Sequence, residues 1–240
     1  MLSKSKGSFA TTLWSQILQA QGNCRPESRR IESLEYLCNT YWTPVYAFIR
    51  RRCTSDEKAL DLTQDYFAVF LEKNFLDQVR PEKGRFRTFL LTSVKHFLSN
   101  NKDYHNASRR KPKGIIFSLT VENASKSIAM LASSEQPAEI QYMREWARAV
   151  VELAMRRMQD DCERHRCVDY YRILAHAISF PDSSYDTMAD EMSWPIEKVR
   201  KNLYRARKKF AEVLRQTIRE SVESEADVDD EIRDLRKFFV

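Results

Sequence analysis

The chain has 240 residues, with 40 Lys+Arg against 34 Asp+Glu for a formal charge of +6, and only four glycines and seven prolines. That length suits two modest domains of about 100–200 residues each. Long periodic stretches with so little glycine and proline favour an all-α fold, and the lack of any run of about 18 apolar residues excludes a membrane span.

The first segment, residues 1–28, carries basic residues and then Phe9, Leu13, Trp14, Ile17 and Leu18 at polar-interrupted spacing. It reads as an amphipathic helix and not as a signal peptide, which needs an unbroken apolar core. The five cysteines, at 24, 38, 53, 162 and 167, form no CxxC pair. Without an export signal they read as reduced thiols of a cytoplasmic protein.

A first domain is expected over 29–112. From Arg29 to Arg52, Ile31, Leu34, Leu37, Cys38, Tyr41, Val45, Phe48 and Ile49 keep helical spacing, and Pro44 is expected to kink that helix or split it in two. Asp56 is the expected N-cap of a second helix, running to about Lys73. Pro81 and Gly84 punctuate a loop over 77–84. Phe86, Phe89, Leu90, Val94, Phe97 and Leu98 then define a third helix, to about Asn101.

Periodicity fades beyond Gly114, and the Ser-, Lys- and Asn-rich stretch 113–137 reads as a flexible linker. A second domain is expected over 138–222, with one helix through Ile140–Ala154 and another through Tyr171, Leu174 and Ile178. Tyr185–Met192, the turn Ser193-Trp194-Pro195 and a longer helix from Ile196 then give a helix-turn-helix layout, with Pro195 at the first helical position.

That longer helix is strongly two-faced. Ile196, Val199, Leu203, Ala206 and Phe210 form an apolar stripe, while Lys198, Arg200, Lys201, Arg205, Arg207, Lys208 and Lys209 crowd the other side with no acid between Glu197 and Glu212. A helix so one-sided in charge suits a polyanion, and in this layout the second helix enters the DNA major groove. The helix after Asp56 has the opposite character. Ala59, Leu62, Tyr66 and Phe70 line one side, and Glu57, Asp61, Gln64, Asp65 and Glu72 share a narrow arc of the other. DNA repels such a stripe, whereas a basic protein surface accepts it.

Three further stretches, Tyr41-Trp-Thr-Pro-Val-Tyr46, Asp61-Leu-Thr-Gln-Asp-Tyr-Phe67 and Lys83-Gly-Arg-Phe-Arg-Thr-Phe-Leu-Leu91, resemble the first conserved domain of bacterial RNA polymerase sigma factors. The nearest group is the extracytoplasmic-function type, built of two helical domains and a linker. The helix-turn-helix is similar to that family's promoter-upstream domain. The resemblance implies that Asp61, Gln64, Asp65, Phe67 and Glu72 meet the clamp helices of core RNA polymerase. It implies that Arg85, Phe86, Arg87, Phe89, Lys95, His96, Asn100, Arg109 and Arg110 recognise and melt the −10 element. Lys198, Arg200, Lys201, Tyr204, Arg205 and Lys208 would face the −35 element. Core polymerase and promoter DNA are then the partners, with an anti-sigma factor as a further one that the family allows.

Two other classes compete: an autonomous helix-turn-helix regulator with a helical sensor domain, and a small helical enzyme using Asp61 and Asp65. Outward-facing carboxylates argue against the enzyme. Cys162, His165 and Cys167 supply too few ligands for tetrahedral zinc, and no phosphate-binding glycine loop occurs. No metal, cofactor or catalytic residue is expected. The acidic tail, 223–240, is expected to fold back on the second domain, where it either restrains DNA binding or caps the core with Leu235 and Phe238.

Overall fold

The structure, a computed structural model, describes residues 27–72, 85–104, 136–220, 222 and 224–239. Among these residues every regular element is an α-helix: α1 (Glu27–Arg50), α2 (Asp56–Glu72), α3 (Phe86–Tyr104), α4 (Ala138–Arg164), α5 (Val168–Ser179), α6 (Tyr185–Met192), α7 (Ile196–Arg219) and α8 (Glu225–Arg236). The expected N-terminal helix, and the expected linker up to Glu135, lie outside the described residues. The chain divides into two units. One comprises Met1–Ala147 with Glu220–Val240, and the other Arg148–Arg219. The division falls inside α4 and at the end of α7, where the sequence suggested 137/138 and 222/223.

In the first unit, α1 runs unbroken through Pro44, so the expected split does not occur. A proline within a helix costs about 3 kcal/mol. Trp42, Val45, Tyr46, Phe48 and Ile49 are buried on either side of it, each contributing roughly 1.5–3 kcal/mol. Burial outweighs the lost backbone bond. Rings from neighbouring helices pack on α1: Phe67 stacks on Trp42 at 5.3 Å, and Phe86 meets Tyr41 edge-on at 5.1 Å. Tyr142 of α4 meets Phe48 at 6.4 Å.

The start of α2 differs from expectation by one residue. Ser55 is the cap, its Oγ accepting the Lys58 N–H at 3.2 Å. Asp56 is engaged elsewhere: it ion-pairs with Arg50 and accepts a bond from the Tyr46 hydroxyl at 3.4 Å. Burial, and then that carboxylate, push the Tyr46 phenol up to about 12.

The second unit is built on Met158, Cys162, Ile173, Leu174, Met188, Ala189, Val199, Leu203 and Ala206. Ser184 caps α6, accepting the Thr187 N–H at 3.1 Å. Ser193 ends it in the left-handed region, at φ 55, and the Trp194 N–H closes back on Ala189 O at 2.9 Å. Pro195 precedes the first helical residue of α7, and its carbonyl accepts the Lys198 N–H at 2.8 Å. A missing N–H costs nothing there.

The tail departs most from expectation. Helix α8 belongs to the first unit, not the second.

Candidate nucleic-acid and protein interfaces

The helical period of α2 separates its two sides cleanly. Ala59, Thr63, Tyr66, Phe67 and Phe70 are buried, while Asp61, Gln64 and Asp65 are exposed. These three sit at i, i+3 and i+4, one above another on the surface. Burial, and then the Asp61 charge, raise the Asp65 carboxyl above its usual range. Two anions held this close without a counterion among the described residues favour a cationic partner. Phe67 is not part of this surface. It is 3% exposed and stacked on Trp42, because its position points into the α1–α2 seam. Glu72 closes α2, and its side chain lies outside the described residues.

Helix α3 divides the residues expected to meet DNA in the first unit. Thr92, Lys95, His96, Ser99 and Asn100 are all exposed and recur at steps of three and four, forming one polar stripe. Lys95 is bonded to Glu139 at 3.1 Å, a pair of exposed groups worth little and readily exchanged for phosphate. The beginning of the helix is different. Phe86 is 2% exposed and belongs to the core beside Tyr41, and Phe89 is half-buried behind it at 6.2 Å. Arg109 and Arg110 lie outside the described residues.

Arg85 and Arg87 are taken up by the tail. The Arg87 guanidinium is 7% exposed and meets the Glu231 carboxylate, itself 2% exposed, at 2.9 Å. It also meets Asp234 at 2.7 Å, lies 4.4 Å above the Trp146 ring, and its carbonyl accepts the Tyr142 hydroxyl at 2.9 Å. Arg85 reaches Asp234 at 2.8 Å and Asp230 at 3.5 Å. Burial pushes the Glu231 carboxyl up against the pull of Arg87. Burial acts the same way on Asp234, but Lys237 and Arg87 outweigh it and hold that group down at about 2. Arg87 is therefore an interior cation, satisfied by protein, and as placed it offers no donor to a phosphate. The sequence could not reveal this, since Glu231 lies 144 residues from Arg87. Its one signal was an acidic block followed by apolar residues at helical spacing.

In the second unit, α7 keeps the two faces expected of it. Val199, Leu203 and Ala206 are buried, and Lys198, Arg200, Lys201, Tyr204, Arg205, Arg207 and Lys208 are exposed. Tyr204 is 72% exposed, an unusual state for an aromatic ring with an apolar core close by. Some of the cations are lightly held: Lys198 by Asp169 at 2.9 Å, Arg200 by Glu197 at 3.2 Å, and Arg205 by the Tyr170 hydroxyl at 3.3 Å. Lys198 also lies 4.1 Å above the Trp194 ring, which fixes the turn between α6 and α7 against the cationic face. Arg200 and Arg207 line an open cleft of about 410 Å³ with Ser183, Ser184 and Tyr185 at the start of α6. Asn202 is buried on the apolar side, a polar insertion that periodicity did not flag.

Residues 37–105 match the family model described as Sigma-70 region 2. No match to the chain is found among curated proteins or among solved structures. No helix of the described residues is long and apolar enough to cross a membrane.

Proposed function

We propose, from the match of residues 37–105 to the family model described as Sigma-70 region 2, that this chain is a sigma factor of the extracytoplasmic-function type. It binds core RNA polymerase, directs it to promoters and helps to open them. The observation that carries this reading is the coincidence of that family match with the exposed Asp61, Gln64 and Asp65 face of α2. An acidic stripe on a basic protein is suited to a basic protein partner, and complementary charge at a close interface fixes both orientation and partner choice.

In this reading α2 docks on the clamp helices of the polymerase. The polar stripe of α3, with Lys95, His96 and Asn100, faces the −10 element, and exposed donors there hold phosphates and base edges of the opened strand. Helix α6, the Ser193–Pro195 turn and α7 serve as a helix-turn-helix in the second unit. Arg200, Lys201, Tyr204 and Arg205 read the −35 element in the major groove, while Lys198 and Lys208 neutralise its backbone. Phe67, Phe86 and Arg87 support these faces from inside. The chemistry belongs to the polymerase, and this chain supplies specificity.

Transcription from a promoter library by core polymerase tests the reading. Added chain should yield transcripts whose templates share two sequence blocks at a fixed spacing. Transcription that is no different with and without the chain would refute it.

A further inference from the structure

We propose that Cys162 and Cys167 are an oxidisable thiol pair that forms a disulfide across the corner between α4 and α5. Helix α4 ends in a left-handed cap: Arg166 sits at φ 57, its N–H bonds to Glu163 O at 3.4 Å, and the Cys167 N–H bonds to Cys162 O at 2.8 Å. This pair of closures brings the side chains of the first and last residues of the turn together. With ordinary covalent lengths on either side, the 2.8 Å bond limits the Cα–Cα separation to about 6.7 Å. A disulfide spans roughly 4.4–6.8 Å between Cα atoms, so the corner holds the pair within its reach. Cys167 packs against the buried cluster that contains Cys162.

The two sulfurs differ in access. Cys162 is fully buried, and burial pushes its thiol up to about 11. Cys167 is half-buried, so an oxidant from solvent reaches it before Cys162. Hydrogen peroxide is the oxidant. The Cys167 sulfur attacks it, the O–O bond breaks, and the sulfur gains one oxygen as sulfenic acid while the other leaves as water. The Cys162 sulfur then attacks that of Cys167. The S–S bond forms, the S–O bond breaks, and the hydroxyl leaves as a second water with the Cys162 proton. Two thiols are oxidised and one peroxide is reduced to two waters.

The full chain, treated with hydrogen peroxide and digested by trypsin without reductant, tests this. Trypsin cuts after Arg164 and Arg166, between the cysteines, so the disulfide appears as two joined peptides that dithiothreitol separates. The oxidised chain should also melt roughly 5 °C or more above the reduced one, since the bond removes freedom from the unfolded chain. Cys167→Ser, at the half-buried position, should fold and leave Cys162 unoxidised. Recovery of Cys167 as sulfinic acid with Cys162 still a thiol, or linkage of the pair only in denaturant, would overturn the proposal.

Discussion

Arg87 and Arg205 are both guanidinium groups on helices of a basic chain, and the structure gives them opposite work. Arg87 is enclosed by Glu231, Asp234 and Trp146, whereas Arg205 stands exposed beside the Tyr170 hydroxyl. Removing one partner of a buried ion pair strands the other, at about 3–5 kcal/mol. Arg87→Ala should therefore lower stability by that amount in denaturant unfolding and leave promoter sequence preference unchanged. Arg205→Ala and Arg200→Ala should do the reverse. Each leaves the melting temperature nearly untouched and alters the selected upstream sequence, at about 1–3 kcal/mol per lost base contact. Lys208→Ala should weaken all sequences alike and flatten the salt dependence. Selection on randomised promoters separates the classes, and an identical consensus from all of these variants would contradict the assignment of α7. Charge alone could not tell Arg87 from Arg205 in the sequence, because it does not reveal which cation meets a distant carboxylate.

Among the elements, the two faces of α2 and of α7 are legible in the sequence, and the packing of α8 is not. The first two carry their evidence locally. The alternation of Ala59, Tyr66 and Phe70 with Asp61 and Asp65 fixes which side of α2 is buried, whatever covers it. The same holds for Val199, Leu203 and Ala206 on α7. The sequence suggests a short helix in the tail from Ile232, Leu235, Phe238 and Phe239, but where α8 packs depends on a pairing with α3 that periodicity does not encode. Similarly, Pro44 argued for a broken helix, and only the aromatic packing around it explains why α1 continues.

Because α8 is an integral part of the first unit, truncation after Val222 should lower the melting temperature with no gain in DNA affinity. Tighter, salt-sensitive promoter binding by the truncated chain would instead make α8 a restraint on that binding. The charge cluster adds a pH signature. Asp234 is held down at about 2 against an ordinary 3.8. Its stabilising contribution is thus complete above the ordinary value and is lost as pH falls through the lowered one. Glu231, raised by burial, works in the opposite sense. Asp234→Asn should destabilise the chain at neutral pH, and thermal melts should show that difference closing as the pH approaches about 2.

Taken as a molecule, the chain pairs two surfaces of opposite charge on separate units: an acidic face on α2 of the first and a basic face on α7 of the second. One surface of each sign suits a subunit that must hold a protein and a nucleic acid at once. In the proposed function the α2 face holds core RNA polymerase, and gel filtration of the chain with core enzyme measures that binding. The wild-type chain should co-elute stoichiometrically. Asp61→Lys combined with Asp65→Lys should elute alone, with an unchanged helical circular dichroism spectrum and melting temperature, since both side chains are exposed and the reversal turns attraction into repulsion of several kcal/mol. Undiminished co-elution of the double variant, or no co-elution of the wild-type chain, would rule out polymerase docking on α2.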